Sequence, residues 1–180
     1  MLRLPQPQLI SFSLDRMIRC ALFAKICLAF VVGSMSSVAQ DNVHSVDAKD
    51  AEMLAAINKA RSEFGRFMAA FIHPAEGQQS FLVKVAFTEG DEVEHIWLAD
   101  LDFAAARPTG VIGNEPKIKR LHFKQRVEFD PKYISDWMYI DHGKLIGGYT
   151  TRLLRQRMSP EERKKFDASL PYVFDNAPTI

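Results

Sequence analysis

The sequence predicts an α+β fold, with an N-terminal amphipathic helix packed on an antiparallel sheet of about five strands and short C-terminal helices. Three observations carry this reading. Apolar residues recur at three- and four-residue steps between Asp47 and Phe71, they alternate at two-residue steps from Ser80 onward, and a capping signature opens at Ser159.

Ahead of the helix, the chain reads as an export signal beginning at Met17. Arg19 and Lys25 supply positive charge, Ile26 to Val32 an apolar core, and Gly33, Ser34 and Ser36-Ser37-Val38-Ala39 the small residues before a cut. Ser37 and Ala39 fit the small −3 and −1 positions, so cleavage is expected before Gln40. The alternative is an uncleaved N-terminal anchor, but the uncharged run falls well short of the roughly 20 residues a spanning helix needs. Residues 1–16, with Pro5 and Pro7, read as an over-extended gene start. Neither Cys20 nor Cys27 follows the small uncharged residues of a lipid-acceptor cysteine.

The elements of the domain expected over residues 40–180 follow in order. Gln40 to Val46 is a polar leader. Over Asp47 to Phe71, Leu54, Ile57, Phe64, Phe67, Met68 and Phe71 share a face, with Lys59, Arg61, Glu63 and Arg66 between them. Ser45 or Asp47 can cap this helix, and His73-Pro74 with Gly77 stops it. Ser80 to Thr88 sets Phe81, Val83, Val85 and Phe87 against Leu82, Lys84, Ala86 and Thr88. Val93 to Leu101 is again strand-like, so Gly90-Asp91 marks a hairpin whose first strand offers the helix an apolar face.

Arg107 to Pro116 reads as a turn-rich loop of about a dozen residues, and loops of that length tend to be functional or disordered. Leu121, Phe123, Val127 and Phe129 suggest one or two strands before Asp130-Pro131. A second hairpin runs from Ile134 through Asp141-His142-Gly143-Lys144 to Tyr149. Thr150 or Thr151 is expected to cap a short helix over Arg152 to Gln156. Ser159-Pro160-Glu161-Glu162 is a capping box with proline at the first helical position.

Composition then narrows the function. Cleavage after Ala39 removes Arg3, Arg16, Arg19, Lys25 and Asp15, which turns the formal charge from +1 to about −2. No basic excess remains to argue for nucleic acid or anionic lipid. Both cysteines leave too, excluding a disulfide framework, a thiolate nucleophile and a cysteine metal site. About 140 residues remain, enough for one domain with its own core.

The strings Phe81-Leu82-Val83-Lys84, Glu94-His95-Ile96-Trp97-Leu98, Gly113-Asn114-Glu115-Pro116, Asp136-Trp137-Met138-Tyr139 and Gly147-Gly148-Tyr149-Thr150-Thr151-Arg152 together resemble the YegJ-like bacterial family, domain of unknown function 2314. The resemblance spans about Ala51 to Arg155. It implies a small α+β domain, often secreted or joined to other modules, and supplies no reaction, ligand or catalytic residue.

Gly147-Gly148-Tyr149-Thr150-Thr151-Arg152 is the strongest local constellation. A double glycine runs into a helix start whose amides, hydroxyls and guanidinium can hold a carboxylate or phosphate. The competing structural reading is a strand bulge, a threonine cap and a surface ion pair. Trp137 and Tyr139 share one strand face and Asp136 the other, so the rings form either a sugar-binding surface or core. His95 shares a face with Trp97. It reads as a structural histidine or, oriented by Asp136 or Asp100, as a base.

No metal-ligand spacing, nucleophile elbow or phosphate loop occurs, so no metal or cofactor is expected and enzyme signals are weak. The first reading is a periplasmic or secreted, non-catalytic binding module. It would use Asn114, Trp137, Tyr139, Gly147, Gly148, Tyr149, Thr150 and Arg152 to hold an unknown protein or a small anionic ligand, with no nucleic acid and no membrane anchor after cleavage. The alternatives are a cell-envelope hydrolase using His95 and Asp136, with Arg152 as anion holder, and an immunity-type protein that binds a toxin. The hydrolase requires those three side chains to converge in one pocket.

Overall fold

The computed structural model describes residues 51–104 and 106–175. The signal segment Met17–Ala39, the leader from Gln40, the helix start at Asp47 and the tail beyond Asp175 lie outside the described residues. In chain order the elements are α1 (Ala51–Ser62), α2 (Phe64–Ile72), β1 (Gln78–Glu89), β2 (Glu92–Asp102), β3 (Thr109–Ile112) and β4 (Arg126–Glu128). After a 3-10 turn at Pro131–Tyr133 come β5 (Ile134–Asp141), β6 (Lys144–Gly147), α3 (Tyr149–Arg157), α4 (Pro160–Ala168) and β7 (Val173–Phe174). The fold is α+β. Its sheet has seven strands where about five were expected, in the order β4-β3-β2-β1-β5-β6-β7, antiparallel except for the β6–β7 pair.

The helix expected to run unbroken to Phe71 is two helices that part at Glu63. Trp137 explains the break: its indole N–H donates to the carbonyl of Ala60 at 2.7 Å, the acceptor that Phe64 N–H would use in an unbroken helix. The buried face of α1 also differs. Met53, Ala56 and Ala60 point inward, whereas Leu54 is 45% exposed. Small alanines allow a close approach, and α1 packs against α3 as well as β5.

Strand alternation sorts the sheet's two faces. Val83, Val85, Ile96, Leu98, Trp137 and Tyr139 meet the helices on one side, with Phe67 of α2 fully buried among them. Phe67 and Phe71 each stack edge-on against Phe81, with ring centroids 5.9 and 5.7 Å apart. Leu82, Met138, Ile140 and Leu145 form a second cluster on the other side, closed by Tyr172. The β1–β2 hairpin turns at Gly90-Asp91 as its sequence indicates, with Glu89 paired to Glu92.

Part of the stretch expected to be loop is strand. Thr109–Ile112 pairs with β2 as β3, because Gly110 lets the backbone press against Leu98, where a Cβ would stand 2.9 Å away. Of Leu121, Phe123, Val127 and Phe129, only Val127 lies in a strand, while Leu121 and Phe129 are buried anchors. Between β3 and β4, the carboxylate of Glu94 accepts from the amides of Lys117 and Ile118, and buried Ile118 seats the connection in the core. The Ser159 capping box forms as predicted.

Candidate functional site

The β6–α3 junction follows from two glycines. Gly147 and Gly148 both have positive φ, +75° and +67°, the left-handed region that glycine alone enters cheaply. At Gly147 space is also closed, since a Cβ would lie 2.4 Å from the Trp137 carbonyl oxygen. Arg152 then folds back over the turn. Its Nε donates to Gly147 O at 2.8 Å and its Nη2 to Leu145 O at 2.7 Å, while Nη1 pairs with Asp175 at 2.6 Å.

The helix start carries no side-chain cap of its own, contrary to the expected threonine cap. Asp136 supplies one from the neighbouring strand. Its carboxylate accepts from Tyr149 N at 3.1 Å, Thr150 N at 2.9 Å, Thr150 Oγ1 at 2.6 Å and Trp137 N at 2.9 Å. Thr150 is thus a donor to the cap, not the cap. Asp136 is completely buried. Burial raises its pKa, against the opposing pull of Lys84 and of these bonds.

Beside the junction lies a cleft of about 220 Å³. Gly147, Tyr149 and Arg152 line it together with Lys59, Glu63, Arg66, Ile146 and Asp175. Glu63 organises one wall: Lys59 pairs with it at 2.6 Å, Arg66 approaches to 3.9 Å, and the Tyr149 hydroxyl donates to it. The bonds from Lys59 and Tyr149 hold the Glu63 carboxyl below its usual range. Tyr149 is pushed the other way, by burial first and by Glu63 second. A larger groove, of about 410 Å³, is lined by Arg107 and Pro108 from the start of the turn-rich stretch and by Asp130-Pro131, but by none of the candidate binding or catalytic residues.

The remaining predicted residues fall elsewhere. Trp137 and Tyr139 are core, stacked with centroids 6.2 Å apart. Asn114 ties its loop to β2 by accepting from Trp97 N at 3.0 Å. His95, on β2, sits beside the start of β5, with Nδ1 2.8 Å from Ser135 Oγ. His95 and Asp136 share no hydrogen bond, and neither lines the cleft that holds Arg152. The three do not converge in the way a hydrolase would need. Among the described residues, no cluster of His, Cys, Asp and Glu could hold a metal ion, and no helix is long and apolar enough to cross a membrane.

Sequence reasoning missed Lys59, Glu63, Arg66 and Asp175 as cleft residues. The four-residue spacing of Lys59 and Glu63 was a legible sign of a helix-surface pair, but not of what that pair faces.

A family model described as an uncharacterized protein conserved in bacteria matches residues 50–174. The chain is 32% identical over 144 residues to the uncharacterized protein YegJ of Escherichia coli strain K12, covering 79% of this chain and 92% of that one. It is also 34% identical over 93 residues to a putative ankyrin repeat protein of Neisseria meningitidis serogroup B, covering 49% of this chain and 37% of the relative. No solved structure matches the chain.

Proposed function

The chain belongs to the DUF2314 family of uncharacterised bacterial proteins, and from that premise we propose that it is an exported, non-catalytic binding module that holds a small anionic ligand in the Lys59–Arg66–Tyr149 cleft. One observation carries the ligand class. Three cations, Lys59, Arg66 and Arg152, and two acids, Glu63 and Asp175, line one concavity, and the Lys59 and Arg66 side chains stay 46% and 58% exposed. An arriving carboxylate or phosphate can therefore be met by Lys59 and Arg66. Arg152 is spent on the turn and shapes the floor.

Export rests on the charged, apolar and small-residue order from Met17 to Ala39. The candidates for chemistry favour binding over catalysis, because Asp136 is used up in capping α3.

Isothermal titration with citrate and phosphate tests the cleft. The wild type is expected to bind, and the Lys59→Ala/Arg66→Ala double variant to lose about tenfold or more in affinity, roughly 1.4 kcal/mol. Identical heats for the two proteins would refute the site. N-terminal sequencing from a periplasmic extract tests export: a first residue of Gln40 is expected, and one well before it would sink the reading.

A further inference from the structure

The cleft beside the β6–α3 turn carries charge of both signs. Three cations line it with two acids, which leaves an excess of one positive charge on the lining. These five groups are not equally engaged. Arg152 has a partner on each of its three nitrogens, and Lys59 pairs with Glu63 at 2.6 Å. Arg66 stands 3.9 Å from Glu63, beyond hydrogen-bond range, so its planar fork is left to meet a carboxylate. The Lys59–Glu63 pair lies near the surface, where such pairs contribute little and exchange partners readily.

Asp175 offers the reverse. Arg152 Nη1 reaches its Oδ1 at 2.6 Å, yet that buried oxygen receives no aligned hydrogen bond, and the side chain is still 32% exposed. A carboxylate has about four acceptor positions, so Asp175 retains capacity for a positively charged donor. Between the charged groups, Ile146 and Gly147 give the cleft an apolar side chain beside a residue with none, where a carbon skeleton can lie.

Resting on the reading of this cleft as the binding site, we propose that its ligand is an amino dicarboxylate, a small molecule with two carboxylates and one ammonium. Its single net negative charge matches the excess on the lining. One carboxylate lies against Arg66 and the other against Lys59, the ammonium donates to Asp175, and the carbon chain crosses Ile146 and Gly147. Arg152 holds Asp175 in place. The volume of about 220 Å³ lies below the roughly 300–1,000 Å³ of sites for drug-sized molecules, which suits a ligand of this size. A plain dicarboxylate sets a like charge beside Asp175, and a neutral amino acid leaves one cation unmatched.

Isothermal titration of the purified protein at about pH 7 with L-glutamate, glutarate and γ-aminobutyrate separates the parts. Glutarate keeps both carboxylates and lacks the ammonium, whereas γ-aminobutyrate keeps the ammonium and lacks one carboxylate. Glutamate is expected to bind about tenfold tighter than either, the scale of one hydrogen bond to a charged group. Net charge cannot produce that order, because glutarate is more negative than glutamate. Asp175→Asn should bring glutamate down to the affinity of glutarate and leave glutarate at least as tight, and Asp175→Glu should keep the preference. Lys59→Ala/Arg66→Ala should weaken all three. Glutamate no tighter than glutarate or γ-aminobutyrate in the wild type, or a preference that survives Asp175→Asn, overturns the proposal even where citrate binding still depends on Lys59 and Arg66. Citrate heats indifferent to those two residues refute the cleft itself. The wild-type comparison needs no variant, so a poorly folded Asp175→Asn does not spare the proposal.

Discussion

Neighbouring residues at the start of β5 gather similar side chains and use them in opposite ways. Around Asp136, the side chains of Asp136, Thr150 and Arg152 are all buried, and each is bonded to backbone or to one another. Around Ile134 and Ser135, Arg61 and His95 are each fastened by a single hydrogen bond and reach solvent. A buried polar group is tolerated only when satisfied, so the first group is committed to holding the fold. The second keeps donors in reserve. Residue type alone does not separate a structural aspartate or arginine from a functional one; the number of bonds left to make does.

Five substitutions at four positions would break or sharpen this contrast. Gly147→Ala should have the largest effect, because its methyl meets the Trp137 carbonyl at 2.4 Å and the Trp137 ring at 2.5 Å in a left-handed backbone. A loss above about 4 kcal/mol in denaturant unfolding, or no folded protein, is expected. Asp136→Ala leaves the first turn of α3 without its acceptor and should cost about 3 kcal/mol.

Asp136→Asn adds a pH test. The raised pKa means the folded chain holds this proton more tightly than the unfolded chain, so its contribution is full below the ordinary carboxylate range and declines as pH rises through the folded value. In Asp136→Asn, unfolding free energies measured across that window should no longer show this decline.

Trp137→Phe removes the indole bond to Ala60 while keeping most of the ring packing, and should cost about 1–2 kcal/mol by chemical denaturation. Amide exchange at Phe64 should slow as the Ala60 carbonyl becomes available to it. His95→Gln should change stability least, within about 0.5 kcal/mol, since the ring is exposed. A larger loss at His95 than at Asp136 would erase the distinction between the two groups.

Much of the architecture was legible locally. Two-residue alternation marked β1, Gly90-Asp91 the first hairpin with β2, Asp141-His142-Gly143-Lys144 the second with β5, and Ser159 with Glu162 the start of α4. These depend on neighbours in sequence, where periodicity and turn chemistry act directly. The Trp137 insertion that divides α1 from α2 was not legible, because the indole and the Ala60 carbonyl are 77 residues apart. β3 was also hidden, since turn-forming residues crowd a short strand that pairing with β2 stabilises. Gly147, Tyr149 and Arg152 were recognised as a group and do line one cleft, but the other acids and bases of its lining come from α1, α2, the break between them and Asp175 after β7.

By itself, the sequence determined the α+β class and the alternation that assigns the residues of β1 and β2 to a face. These are short-range consequences of backbone geometry and apolar spacing. Only the tertiary structure decided that Asp136 caps a helix 13 residues away, that Arg152 closes its own turn, and that His95 of β2 meets Ser135 of β5. Hydrogen-bond saturation is a property of the assembled neighbourhood, and no local pattern records which donors and acceptors remain once the sheet and helices have met.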